Sequence, residues 1–344
     1  MTSPQQAKTP QELKQTVGKD RKPFQEESVS DEPSQRPVPF LAWPLLALAI
    51  CLVSSSAATF ETMPDVPPSA LAAWRAQATS ILLVPFAAWQ LFCMKAEERL
   101  KLLQQLPLII TAGLSLGTHF GCWVWGLQHT SLSHALFIMS STPVVIAAGS
   151  LLLGQVLSRG ELVGTALGTA GAFVLAFAGQ SDRGAGLIGD GMCAVAVLGF
   201  VAYFSIGKRL STWVPLFAYM FLITSVAAAA LSTAAVGAGE VGFSHMGRQG
   251  LFGWVDPQYL VGVGWLAAGP GFVGHTSFNA LLKWMHPLTI ALASTICPIL
   301  GSFIGWGIGV SAFPHGAPTY IGAVMIIIAC ILDEAIQKQD AAQN

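Results

Sequence analysis

Charge is what this chain of 344 residues has least of: only 10% of its side chains are Asp, Glu, Lys or Arg, and 12 of those 35 lie within the first 39 residues. The other 305 residues carry 23 charged side chains, too few to clothe soluble domains of that size. Seventeen basic residues against 18 acidic ones leave no surplus for a phosphate backbone, so nucleic acid is not an expected partner. No C-x-x-C pair occurs among Cys51, Cys93, Cys122, Cys193, Cys297 and Cys330, which stand singly in apolar stretches and read as small packing residues. Neither a metal nor a cofactor is expected. A phosphate loop of the form G-x-x-x-x-G-K-[ST] is also missing, so nothing in the sequence couples the chain directly to ATP.

What is present is apolar: 53% hydrophobic residues and a mean hydropathy of +0.59. A bilayer core of about 30 Å takes roughly 20 apolar residues per helix. On that measure ten spans are predicted, at 40–60, 69–92, 105–126, 131–153, 160–179, 186–207, 213–236, 259–281, 287–310 and 317–334. The polar tail 1–39 has the composition of disorder, a short tail follows at 336–344, and the linker 237–258 reads as a surface loop with one short interfacial helix. With both termini cytosolic, fourteen of the 17 basic residues fall inside, Arg183 and Arg248 fall outside, and Arg75 lies within a span. The positive-inside rule therefore supports an even helix count.

The halves also resemble each other. A shift of 155 residues lays Leu127 on Leu282, Pro143 on Pro298 and Gly154 on Gly309, and a shift of 156 brings His119 onto His275. A unit of five spans is odd, so its second copy inserts upside down. The expected fold is an all-α polytopic membrane protein of ten transmembrane helices, arranged as inverted five-helix repeats at 40–180 and 186–335.

Several segments carry a resemblance over about residues 40–335: Pro67 to Pro85 with Arg75 early in the helix, "GLQHTSLSHALFIMSSTPVVIAAGSLLLG" at 126–154, "GELVGTALGTAGAFVLAFAG" at 160–179, "GDGMCAVAVLGFVAYFSIGKRL" at 189–210 and "ALLKWMHPLTIALASTICPILGSFIGWGIG" at 280–309. They resemble the drug/metabolite transporter superfamily, EamA type. The resemblance implies a ten-helix transporter fold and leaves the substrate open. One departure stands out: Glu161 follows the fourth span, but the stretch after the ninth, "FPHGAPTY", offers His315 and no acid.

Candidate path residues come from polar breaks in the apolar pattern. Pro143 and Pro298 fall near the centres of spans four and nine, where each removes a backbone N–H and frees a carbonyl. Ser140, Ser141 and Thr142 precede the first proline, and Ser294 and Thr295 the second. They either line a shared cavity or bond to their own helices at packing kinks. Arg75 either serves the path or snorkels from near the outer end of its span. His119 and His275, about four and five residues past the centres of spans three and eight, form a pseudosymmetric pair of polar gates or proton sites, or else two neutral, structurally satisfied histidines. Glu161 and Asp190 read as helix caps. Trp123, Trp125, Trp265 and Trp306, with Phe120 and Phe278, either line a pocket or pack, and the glycine rows at 113, 117 and 121, 164 and 168, and 301, 305 and 309 read as helix-packing stripes.

The function expected from these features is a secondary transporter or facilitator that moves a small organic metabolite by alternating access. Its partners would be the solute, the lipid bilayer and a proton, in the plasma membrane first and an organelle membrane second. Two alternatives compete. One is an intramembrane serine hydrolase using Ser115 of the G-x-S-x-G match at 113–117 with His275, although that motif requires a strand, turn and helix, and no enzyme activity is expected. The other is a nucleotide-sugar or phosphate-ester exchanger of the same fold, for which a single Arg is sparse.

Overall fold

The computed structural model describes residues 38–130, 132–178, 186–243, 247–310, 313 and 316–343, all helix, turn or loop apart from one isolated bridge between Gly242 and Gly250. The expected tail 1–39 lies almost wholly outside these residues, as do Arg183, His245 and His315. The helices are α1 (Ala42–Glu61), α2 (Pro68–Cys93), the short α3 (Ala96–Gln104), α4 (Leu106–His129), α5 (Leu132–Ser140), α6 (Thr142–Leu152), α7 (Arg159–Ala178), α8 (Leu187–Leu210) and α9 (Leu216–Gly237). There follow α10 (Pro257–Leu266), a π-helical segment (Ala267–His275), α11 (Thr276–Leu281), α12 (Pro287–Ala293), a 3₁₀ turn (Ser294–Ile296), α13 (Cys297–Gly307) and α14 (Ala317–Gln343).

Eight of the helical stretches are long and apolar enough to cross a membrane, counting α5 with α6 and α12 with α13 as one stretch each. The two other expected spans are helical as well, α7 without interruption and 257–281 with a π-helical centre. Helix is the only open-ended element that hydrogen-bonds all its own backbone groups in hydrocarbon. Punctuation comes from residue type. Pro68, Pro107, Pro143, Pro257, Pro287 and Pro298 each occupy the first turn of a helix, where a missing N–H costs nothing.

Two helix ends bear on the internal similarity. Gly154 and Gly309 hold φ of 76° and 80°. At the first, Gly154 N–H donates to Leu151 O and Gln155 N–H to Ser150 O; at the second, Gly309 donates to Trp306 O and Val310 to Gly305 O. Both are left-handed caps that favour glycine, and both close a helix whose first turn holds the aligned proline.

Packing joins helices far apart in sequence. α7 lies along α14, α4 along α8, α2 along α9, and α1 against α13 and the π-helical segment. Small residues permit the approach: a Cβ added at Gly113 would lie 2.6 Å from Val226, and one at Gly301 would lie 2.9 Å from the Ser54 carbonyl. The largest core cluster gathers Trp74, Tyr203, Phe204 and Phe278, while Ile81, Leu82, Val84, Phe86, Trp89 and Phe92 of α2 face outward, as lipid-facing positions do.

The linker after α9 is more than a surface loop. Its described part forms two 3₁₀ turns, Gly247–Gln249 and Gly253–Val255, docked on the first turns of α2. Trp74 Nε1 donates to Gly250 O, Trp254 Nε1 donates to Gln77 Oε1, and Glu240 accepts from Ser69 Oγ and Ala70 N–H. Glu240 caps the start of α2 by accepting the Ala70 N–H, and the two indole donors, Trp74 of α2 and Trp254 of the linker, each find an acceptor across the contact.

Candidate functional site

The centre of the molecule is built around the most deeply buried charge. Arg75 of α2 is 1% exposed. Its guanidinium carbon lies 4.3 Å from the centroid of the Phe120 ring and 5.9 Å from that of Phe60. The side chain runs inward rather than snorkelling to an interface. Its Nε and Nη2 are buried with no hydrogen-bond partner, and among the described residues no carboxylate pairs with it. A charge so placed costs about 2.5–3.5 kcal/mol even on the lenient insertion scale.

His119 and His275 meet beside it. Their ring centroids are 6.5 Å apart, with Phe120 in edge contact with His275 at 5.2 Å. His119 Nδ1 is 3.0 Å from Ala196 O, and since a carbonyl can only accept, that nitrogen carries the proton and Nε2 keeps a lone pair. The approach depends on Gly199, where an added Cβ would come within 2.8 Å of Ser115 O and 2.9 Å of His119 N. His275 Nδ1 lies 3.3 Å from Tyr203 Oη, and Asn279 Nδ2 donates to both Tyr203 Oη and His275 O at 2.9 Å. With its oxygen accepting from Asn279, the Tyr203 hydroxyl keeps its own proton for His275 Nδ1, and in the tautomer that accepts it the His275 proton sits on Nε2. In that tautomer one imidazole presents an acceptor and the other a donor.

The π-helical segment sets the position of His275. It contains Gly269, Pro270, Gly271 and Gly274, and a local π adjustment is how a membrane helix absorbs a proline. Its glycines press on α1 and α2: a Cβ at Gly271 would fall within van der Waals overlap of Thr79 Oγ1, and one at Gly274 would lie 2.7 Å from Val53. Further groups around the centre keep unused valence, namely Trp123 Nε1, Tyr219 Oη, Thr276 Oγ1 and Asn279 Oδ1. Below them, Tyr219, Asn279, Gly207 and Lys283 border a small cavity with room for about one water.

Pro143 and Pro298 each lie in the first turn of a new helical segment within a longer apolar stretch. The carbonyl that Pro143 leaves free, Met139 O, accepts from Thr142 Oγ1 at 2.6 Å. The one that Pro298 leaves free, Ser294 O, accepts from Cys297 N–H through the 3₁₀ turn. Ser140 Oγ donates to Leu136 O, Ser141 Oγ to Ile138 O, Ser294 Oγ to Ile290 O and Thr295 Oγ1 to Leu292 O. All these bonds close within three or four residues along the chain, because a hydroxyl that far on reaches the carbonyl more cheaply than any neighbour can.

Other sequence candidates take structural places. Ser115 Oγ donates to Thr111 O, not to a histidine. Glu161 forms a reciprocal cap with Ser158 and approaches His286 at 3.2 Å. Asp190 accepts from Thr130 Oγ1. His129 stacks on Trp125 at 3.6 Å, while Trp265 bonds to Ser55 Oγ and Trp306 is half exposed. The side chain of His134 lies outside the description. Sequence reasoning passed over Tyr203, Asn279, Tyr219 and Gln77; a lone Asn or Gln in an apolar span was the signal for two of them.

A bundle of apolar helices with a polar centre defines a polytopic all-α membrane protein. Residues 41–177 match the EamA-like transporter family, which bears out the resemblance drawn from the sequence over that stretch. A solved structure entitled only "Crystal structure of protein" shares the fold: it is 17% identical, covers 85% of this chain and 96% of its own, and superposes with a TM-score of 0.66. No curated protein matches the chain.

Proposed function

We propose that the protein is a secondary transporter or facilitator that carries a small organic metabolite through the Arg75, His119 and His275 centre by alternating access. The observation that carries this reading is the buried donors and acceptors left without partners around Arg75, namely Arg75 Nε and Nη2, Trp123 Nε1, Tyr219 Oη, Thr276 Oγ1 and Asn279 Oδ1. Unpaired polar groups in such surroundings cost about 1–3 kcal/mol each. They are retained where a solute or water answers them.

The inverted repeat is part of the same proposal. Exchanging 40–180 with 186–335 converts the α4 with α8 pairing into α1 with the π-helical segment and leaves the α2 with α9 and α7 with α14 pairings unchanged, and all of these pairings occur. In that arrangement α4 and 257–281 run in opposite directions. Side chains on a helix lean toward its N-terminus, so His119 and His275 lean toward each other. Their backbone positions alone would have kept them farther apart. Ten spans would put both termini on one side of the membrane, and the distribution of basic residues favours the cytosol, with the plasma membrane as first choice.

Flux in proteoliposomes tests the proposal. Uptake of amino acids, purines and small organic acids by the full chain is expected to show a saturable substrate, and none above empty vesicles would refute it. The proton role is tested separately: flux against pH is expected to flatten in His119→Gln, in His275→Gln and in the double variant. Profiles matching the unmodified protein in all three would remove the proton and leave the histidines a positioning role.

A further inference from the structure

The ligand chemistry of this centre can be read from which atoms of Arg75 are buried without a partner. We infer that the solute carries a carboxylate, bound side-on by Arg75 Nε and Nη2. This rests on the transport reading of the same site and deepens it.

The guanidinium lies over the Phe120 ring, with Phe60 farther off. A cation–π contact attracts the charge as a whole and gives the N–H groups no hydrogen-bond acceptor. The two buried, unpartnered nitrogens are Nε and Nη2. They share one edge of the guanidinium, and their parallel N–H bonds match the spacing of the two oxygens of a carboxylate. A hydroxyl or an amide would satisfy one prong and strand the other.

Charge narrows the class further. Among the described residues Arg75 carries the one full positive charge in contact with the aromatic rings of the centre, because both histidines have hydrogen-bond partners that a neutral ring satisfies. A monoanion balances it. A phosphate monoester dianion would bring a second negative charge into the same apolar surroundings, away from the lysines that border the cavity below or bond to backbone carbonyls. Phe60, Trp123, Phe120 and Phe200 stand around the imidazoles, so a ring next to the acid would find flat walls. Trp123 Nε1 is a further unused donor beside them.

The test uses the full chain in detergent at pH 7, with thermal unfolding as the readout. The probes are benzoate and cyclohexanecarboxylate, their neutral amides, and phenyl phosphate. Both carboxylates are expected to raise the Tm in a saturable manner, while the amides and the phosphate give shifts near zero. Arg75→Gln is expected to weaken carboxylate binding by at least about tenfold, and Arg75→Lys to keep the preference for acid over amide at reduced affinity. Without ligand, Arg75→Gln is expected to unfold no earlier than the unmodified protein, since it removes a charge that nothing answers.

Equal shifts from acids and amides, a larger shift from phenyl phosphate, no shift from any probe, or an unchanged response in Arg75→Gln would each overturn the assignment. An early-unfolding Arg75→Gln would do the same by showing the arginine to be structural. Carboxylate binding without flux in vesicles would leave this inference standing and remove the transport reading. Flux of neutral solutes with no preference for acids would do the reverse.

Discussion

At Ser140–Pro143 and Ser294–Pro298, every polar group placed among apolar helices is answered within its own turn. Around Arg75, donors and acceptors converge from α2, α4, α8, α9 and the 257–281 helix, and several remain unanswered. Both regions looked similar in sequence: a few polar residues in long apolar spans, near the bilayer centre. The difference is largely one of reach. A Ser or Thr hydroxyl can bend back on its own backbone, as those beside the prolines do and Thr276 does not, whereas a guanidinium or an indole is too long or too rigid to do so and must find partners on other helices. Polar residues that close on themselves shape the helix, and those that do not can create a site.

The comparison breaks most decisively where the centre depends on close approach. Gly199→Leu would drive a side chain into Ser115 O and His119 N. It is expected to destabilise by at least about 1–3 kcal/mol and to abolish flux. By contrast Gly191→Ala, at a position with open space, should leave thermal unfolding and flux unchanged. A stable, active Gly199→Leu would mean that α4 and α8 do not hold the site.

A smaller effect is expected from Tyr203→Phe. It removes the hydroxyl between Asn279 Nδ2 and His275 Nδ1 and leaves His275 Nδ1 unpaired, with Asn279 keeping only its bond to His275 O, at about 1–3 kcal/mol. Thermal unfolding and flux should both fall, more than in Ser140→Ala or Ser294→Ala, where the hydroxyl serves only its own helix. Equal losses in all three variants would erase the distinction between the two regions.

Pro143→Ala and Pro298→Ala come next. Since the freed carbonyls already have partners, insertion and yield should stay intact and flux should drop by less than a factor of about 10, equivalent to about 1.4 kcal/mol on the barrier. A complete loss would return the prolines to the path itself. Least is expected of Glu161→Gln. Its contact with His286 is partly solvated, and such pairs contribute about 0–1 kcal/mol, so a near-normal melting curve is the expected result.

Much of the fold was legible because it depends on local rules. Apolar run length, prolines in first turns and glycines at left-handed caps are short-range features, and the helical segments fall close to the spans they predict. The aligned pairs Pro143 with Pro298 and Gly154 with Gly309 occupy equivalent places in their segments for the same reason. The site was half legible. Arg75, His119 and His275 stand out in an apolar background, and they do converge. Tyr203 was hidden, because a tyrosine in a membrane span reads as packing until its hydroxyl is seen between Asn279 and His275. The hydroxyls beside the prolines were overvalued, since composition does not reveal where a donor bonds.

By itself, the sequence determined that this is a bundle of apolar helices with few buried charges, because hydrocarbon tolerates only backbone that hydrogen-bonds to itself. Tertiary structure alone decided which of the buried polar groups would be left over. That depends on how close one helix comes to the next: Gly199 lets His119 reach the Ala196 carbonyl, the π-helical turns bring His275 to Tyr203, and Phe120 lies against the Arg75 guanidinium while its Nε and Nη2 stay unpaired. Those distances are set by side-chain volumes on several helices at once, which no stretch of one helix encodes.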